Sequence, residues 1–190
     1  MKKIVFASLL ASGALLAGDW YAGANVGSSA IKTDVSAKNK TTGASASGDS
    51  TDTKSGFGLK AGYELANAHR VEVEYLKLAS NMSNTRLNYV YKHSFGDLKP
   101  YVGGGIGTAS YKEDFTVNGN KYSFDKSATA WNIKGGLIYE IAKKHEIEVG
   151  YDYISIASMS EDYRISGQNI ELKLDNTKIG RVYLGYNYRF

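Results

Sequence analysis

Three histidines, His69, His93 and His145, are the only imidazoles in this 190-residue chain, and there is no cysteine. Thiol nucleophiles, disulfides and thiolate metal sites are thereby excluded. One arrangement that brings a Ser–His pair together on a single strand sets the serine two residues after the histidine, on the same strand face, with a carboxylate in support. His93 is followed by Ser94, on the opposite face, and His145 by Glu146 and Ile147, so the spacing fails. Asp49, Asp52, Glu113, Asp114, Glu161 and Asp162 lie in polar connections and read as solvated carboxylates, at most weak ligands for a hard cation. Gly103 to Gly105 is not a phosphate loop, because neither a Lys-Ser/Thr pair nor a helix start follows it. No catalytic residue, metal site or cofactor is expected.

The remaining chemistry lies in charges that share one parity. Tyr63 alternates with Glu64, Val71 and Val73 with Arg70, Glu72 and Glu74, and Leu87 with Arg86. Further on, Ile133 alternates with Lys134, Ile147 and Val149 with Glu146 and Glu148, and Val182 with Arg181. This is period two, the signature of strands with one apolar face. Composition agrees: 15 tyrosines and 21 glycines suit β structure, while a single proline excludes Pro-rich linkers. Collected on the polar face are Lys60, Arg70, Arg86, Lys92, Lys134, Arg181 and Arg189, against Glu64, Glu72, Glu74, Glu140, Glu146, Glu148 and Asp152. Seven basic groups thus meet seven acidic ones.

Residues 1–17 read as a secretory signal peptide: Lys2 and Lys3, an apolar stretch from Ile4 to Leu16, then small Ala17, after which cleavage is expected. Those 13 residues are short of the 18 or more that a spanning helix needs. Without Lys2 and Lys3 the net charge of +4 falls to +2, which supports no nucleic-acid partner.

Residues 18–190 then form one domain of eight alternating segments: Trp20–Gly27, Phe57–Glu64, Arg70–Tyr75, Arg86–Lys92, Tyr101–Thr108, Trp131–Glu140, Glu146–Tyr153 and Gly180–Phe190. Glycines 103, 104, 105 and 107 leave the parity of the fifth open. Connections alternate in length. Leu65–His69, Ser94–Lys99 and Ala142–Lys144 are short, whereas Ala30–Lys54, Lys112–Ala128 and Ala157–Asn176 are long, with Leu78–Asn84 between. Ala30–Lys54, rich in Ser, Thr, Lys and Asp, is expected to be a solvated, mobile loop. Asn118-Gly119 signals a hairpin. Ile170, Leu172 and Leu174 share the parity of Val182 and Leu184, which extends the last strand upward.

Alternation alone does not say which face points outward. Aromatic residues near strand ends on the apolar face (Trp20, Tyr63, Tyr75, Trp131, Tyr139, Tyr153, Tyr188), the export leader and the ending at Phe190 point that face to lipid. The ending, with Tyr183, Gly185, Tyr188 and Phe190, resembles the C-terminal signal of bacterial outer-membrane barrels. The whole mature chain resembles the small eight-stranded outer-membrane barrels, the group of the OmpA transmembrane domain, OmpX and opacity-type surface proteins. That resemblance implies an all-β, eight-stranded antiparallel up-and-down transmembrane β-barrel in the outer membrane of a Gram-negative bacterium. It implies outer-membrane lipid and the barrel assembly machinery as partners, the latter reading Tyr183, Gly185, Tyr188 and Phe190. Some barrels of this size modify lipid A, but the histidine spacing here does not match that chemistry.

Eight strands leave an interior just wide enough for side chains, so the balanced charges are expected to collapse into a plug rather than line an ion path. The expected function is a non-enzymatic surface protein whose long loops meet a host or envelope ligand, in adhesion, antigenic display or envelope integrity. The alternative is a small porin-like channel for ions or hydrophobic solutes.

Overall fold

The computed structural model describes residues 19–65, 68–78, 81–117, 120–165 and 168–190. The expected signal peptide, residues 1–17, and the expected hairpin turn at Asn118-Gly119 lie outside the described residues. The described residues form nine strands: β1 (Asp19–Asn39), β2 (Ser45–Leu65), β3 (His69–Lys77), β4 (Met82–Lys92), β5 (Leu98–Val117), β6 (Asn120–Ala142), β7 (His145–Ile156), β8 (Met159–Ile165) and β9 (Gln168–Arg189). All pairings are antiparallel between neighbours, and β1 pairs with β9 to close the ring. The seam runs from Tyr21 opposite Arg189 to Asn39 opposite Ile170.

The ring has eight positions although there are nine strands. Both β7 and β8 pair with β9, one after the other: Ile156 faces Thr177, and Met159 faces Leu174. They are two segments of one ring strand, interrupted at residues 157–158. On sequence alone residues 157–176 read as loop, because polar Ser158, Ser160, Glu161 and Asp162 hide the alternation.

The other long connections are also mostly strand. β1 and β2 pair without a break from Asp19–Glu64 to Lys38–Ser45, so the expected loop Ala30–Lys54 is a solvated hairpin turning over residues 40–44. Its Ser and Thr residues hold extended backbone as readily as loop, because the ladder satisfies their peptide groups. β5 and β6 likewise pair through Val117 and Asn120. The expected short turns are observed, with strands ending at Leu65, Lys92 and Ala142 and resuming at His69, Leu98 and His145.

The parity of β5, unreadable through its glycines, is set by Tyr101, which is buried, and Val102, which is 56% exposed. Odd residues of β5 therefore face inward. Gly105 is among them because Asn88 and Asn132 reach across to where its Cβ would stand.

In the lower part of the ring, toward the short turns, apolar residues face out. Val26, Leu59, Leu87, Val102, Ile133, Val149 and Val182 are each more than half exposed. On β9 this belt covers Gly180 to Tyr188; nine residues rising about 3.3 Å each at a tilt of about 40° span about 23 Å, close to a hydrocarbon core. Above that level the polarity reverses. Going up β3, buried Glu74 gives way to Leu76 and Leu78; on β7, Asp152 gives way to Ile154 and Ile156; on β9, Arg181 gives way to Ile179. Outward positions change in the opposite sense, from Tyr153 to Ser155, from Leu87 to Thr85 and Ser83, and from Val182 to Lys178. The chain is thus a membrane barrel below and a water-facing barrel with an apolar core above. Each part presents apolar groups to the medium that tolerates them.

Candidate functional site

The interior is stacked in three zones. Nearest the short turns, the Arg70 guanidinium donates to Glu64 at 2.9 Å and to Glu146 at 2.7 Å, while Lys92 Nζ reaches Glu64 at 2.6 Å. Arg189 adds a looser contact to Glu140 at 3.4 Å, and Glu140 also pairs with Lys99, a cation that the sequence reading missed. Lys99 is the second residue of β5, just past the turn and directly before Pro100, so no run of alternation leads up to it.

The middle zone is the densest. Glu72 accepts from the Tyr21 hydroxyl at 2.5 Å, Lys134 Nζ at 2.5 Å and Asn88 at 3.2 Å. Glu74 accepts from Arg86 at 2.9 Å, Asn25 at 3.1 Å and Lys134 at 3.3 Å. Glu148 pairs with Lys60 and also accepts from Tyr183 at 2.8 Å and Asn187 at 3.0 Å. Arg86 bridges onward to Asp152, which also accepts from Asn132 at 3.1 Å. Tyr183 donates to Glu148, so the 2.6 Å contact between the Tyr101 and Tyr183 hydroxyls has Tyr101 as donor. Gly150 leaves room for both, since a Cβ there would overlap their oxygens.

Arg181 closes the charged stack at its upper limit. Among the described residues it is the lumen guanidinium without a carboxylate partner: it donates to Asn25 Oδ1 at 2.6 Å and lies 4.9 Å from the Tyr183 ring centroid. Ser29, its register partner on β1, has a buried hydroxyl with no hydrogen-bond partner.

The ten lumen residues expected from the sequence, Lys60, Arg70, Glu72, Glu74, Arg86, Lys134, Glu146, Glu148, Asp152 and Arg181, are all buried. The asparagines and tyrosines tying them together were not marked beforehand, although Tyr21, Asn25, Asn88, Tyr101 and Asn187 share the inward parity.

The third zone is apolar. Leu76, Leu78, Met82, Ala109, Phe124, Ile154, Ile156, Met159 and Ile179 are buried together, with Ile31, Tyr111, Leu172 and Leu174 packed against them. By number Leu172 and Leu174 share the parity of the outward Val182 and Leu184. They turn inward because β9 carries a bulge at Asn176, where the β1 partner shifts from Lys178 to Asp175 within two residues. Above the charged stack, this zone holds a part-open cavity of about 170 Å3, with Thr33, Ser50, Asn81 and Thr177 among its lining residues. Ile31, Met82, Tyr111, Ile156, Met159 and Leu174 line it, with the Asp52–Lys54 ion pair at its rim.

The histidines sit away from any such cluster. His69 and His145 lie at the lower rim, each sharing a hydrogen bond with an outward tyrosine, Tyr89 at 2.5 Å and Tyr186 at 2.6 Å. His93 packs edge-on against Phe95. The loop carboxylates are dispersed: Asp162 pairs with Lys40, Glu161 with Lys126 and Asp52 with Lys54. Among the described residues no three His, Asp or Glu gather as a metal site. The C-terminal residues divide by parity. Tyr183 and Gly185 face the lumen, whereas Tyr188 and Phe190 stack edge to face at 5.4 Å on the outer side of the lower rim.

A closed antiparallel ring, an apolar belt facing outward and ion pairs inside define an outer-membrane barrel. Residues 4–190 match the outer membrane protein beta-barrel domain model, and the chain belongs to that family. Its place is the Gram-negative outer membrane. No curated protein is similar enough in sequence to count as a match. Among solved structures it is similar to OprG of Pseudomonas aeruginosa, at 17% identity with a TM-score of 0.64, covering 92% of this chain and 96% of that one. Neisserial surface protein A is similar at 16% identity and a TM-score of 0.61, covering 91% and 99%. The Escherichia coli outer membrane protease OmpT is similar at 8% identity and a TM-score of 0.54, covering 90% and 97%. Identities this low speak for the fold alone, and that fold carries more than one function.

Proposed function

We propose that the protein is a non-enzymatic surface scaffold that holds rigid hairpins above the outer membrane for adhesion, antigenic display or envelope integrity. The observation that carries this reading is the continuation of the ring above the lipid belt, where the strands of β1–β2, β5–β6 and β8–β9 stay paired around an apolar core. Such a core keeps the hairpin tips in fixed relation, which suits recognition by exposed residues on a stiff support. The lumen beneath supports the same reading, because its interlocked charges leave no run of one sign along an open path.

The test shortens one hairpin. Residues 35–48 are replaced by Asn-Gly, joining Asp34 and Asp49, which already face each other across the ladder. The variant is expected to keep its heat-modifiable mobility and to lose binding to host cells or matrix. Loss of barrel assembly, or unchanged binding, would contradict the proposal.

The apolar cavity favours a second reading, passage of small hydrophobic solutes. On that reading, solute uptake into reconstituted vesicles should depend on Ile156 and Met82, and uptake equal to that of empty vesicles would sink it.

A further inference from the structure

Much of the barrel is written twice in the sequence. Tyr21, Gly23, Val26, Gly27 and Ser28 on β1 return at the same spacing on β5 as Tyr101, Gly103, Ile106, Gly107 and Thr108. Tyr63, Glu64, His69, Glu72, Val73 and Tyr75 return as Tyr139, Glu140, His145, Glu148, Val149 and Tyr151. Leu87, Tyr89, Tyr91, Lys92 and His93 return as Leu184, Tyr186, Tyr188, Arg189 and Phe190. β1–β4 and β5–β9 are thus two copies of one four-strand unit, with β7 and β8 counting as a single ring strand.

The geometry of the lower rim repeats with the sequence. At the end of β4, the Lys92 N–H donates to Ala68 C=O at 2.8 Å and the His93 N–H to Pro100 C=O at 2.9 Å. At the end of β9, the Arg189 N–H donates to Lys144 C=O at 2.8 Å and the Phe190 N–H to Trp20 C=O at 2.9 Å. His69 shares its hydrogen bond with Tyr89 and lies 5.3 Å from the Tyr91 ring, as His145 does with Tyr186 and, at 5.3 Å, with Tyr188. Lys92 contacts Glu64 where Arg189 contacts Glu140. The repeat is closest on the outer wall. Leu87, Tyr89 and Tyr91 are exposed there, like Leu184, Tyr186 and Phe190, whereas on the inner face Arg86 and Asn88 stand in the places of Tyr183 and Gly185.

We infer that the outward row Leu87, Tyr89, Tyr91 and His93 is a second docking site for the assembly machinery, equivalent to the end of β9 and half a ring away from it. What the partner takes is a strand end with rings at alternate positions, which fill apolar pockets while the strand edge, still unpaired before the ring closes, bonds to the partner's backbone. The inference rests on the reading of the β9 end as an assembly signal. It adds that the chain carries that signal twice, so that the first four strands are received separately from the last four.

The test follows barrel formation, by heat-modifiable mobility, in phosphatidylcholine vesicles with and without the purified assembly machinery. Tyr91→Ser with His93→Ser keeps the backbone bonds and changes exposed rings, so it should refold in plain vesicles nearly as fast as wild type. The acceleration given by the machinery should fall about tenfold, the scale of one aromatic anchor lost from an interface. In a Phe190→Ser background, His93→Phe should recover part of the lost acceleration, because it writes the β9 ending onto β4. Wild-type acceleration in the β4 variant, equal slowing in both kinds of vesicle, or no recovery with His93→Phe would overturn the inference. Unchanged acceleration of Phe190→Ser alone would instead overturn the reading of the β9 end.

Discussion

Asn176 donates from Nδ2 to Asp34 Oδ2 at 2.9 Å, and does so from a left-handed backbone with φ of 47°. This contact crosses the β1–β9 seam where the register shifts, level with the interruption between β7 and β8. It ties the bulge that turns Leu172 and Leu174 into the upper core.

Asn176→Val should therefore be costly at an exposed position. A β-branched residue in the left-handed region loses about 1–2 kcal/mol, and the hydrogen bond is lost as well. Asn176→Gly keeps the backbone freedom and should cost less than about 1 kcal/mol. Urea unfolding of the refolded protein, followed by aromatic circular dichroism, should rank wild type, Gly and Val in that order.

Lys134 bonds Glu72 at 2.5 Å and Glu74 at 3.3 Å in the centre of the plug. Lys134→Met should destabilise the barrel by about 3–5 kcal/mol, because it leaves buried carboxylate charge short of a partner. The double change Lys134→Met with Glu72→Gln should recover part of that loss in the same unfolding experiment. An equal or larger loss in the double variant would show that the pair does not act as a unit.

Much of this interior was legible in the sequence because period two and a charged inward face are rare together. Glu72, Glu74, Glu146 and Glu148 on alternate positions leave few other arrangements. The upper barrel was not legible. There the lumen residues are Leu76, Ile154 and Ile179 and the outward ones are Ser and Thr, so one parity changes its meaning partway along each strand. A bulge such as that at Asn176 flips parity without a local sequence mark, and the glycines of β5 carry no polarity to read. Lys99 escaped because it stands beside a turn and before Pro100.

The Tyr163 hydroxyl, in the upper barrel on β8, is pushed up to about 12 by burial and by its hydrogen bond to Glu161. In the unfolded chain a tyrosine ionises near 10. The folded state therefore holds its proton more tightly, and this tyrosine lowers stability as pH rises from about 10 to about 12, with no further change above. An NMR titration of its ζ carbon should show a midpoint near 12, well above that of a solvated tyrosine. A midpoint near 10 would show the ring to be open to water.

Phe190 is 68% exposed, and its backbone N–H donates to Trp20 C=O at 2.9 Å to complete the seam. Phe190→Ser keeps that backbone bond, so it should refold into vesicles nearly as well as wild type. We propose that the assembly machinery reads this ring along with Tyr188, Tyr183 and Gly185. In cells the same variant should accumulate unassembled in the periplasm, and equal assembly of variant and wild type would count against the signal.

The sealed lumen is the claim on which the scaffold reading stands. Folded protein, verified by its heat-modifiable mobility, should remain electrically silent in a planar lipid bilayer over the range of applied voltage. Reproducible stepwise ion conductance from that preparation would show that the network of Lys60, Glu72, Glu74, Arg86, Lys134 and Glu148 opens, and would contradict the account.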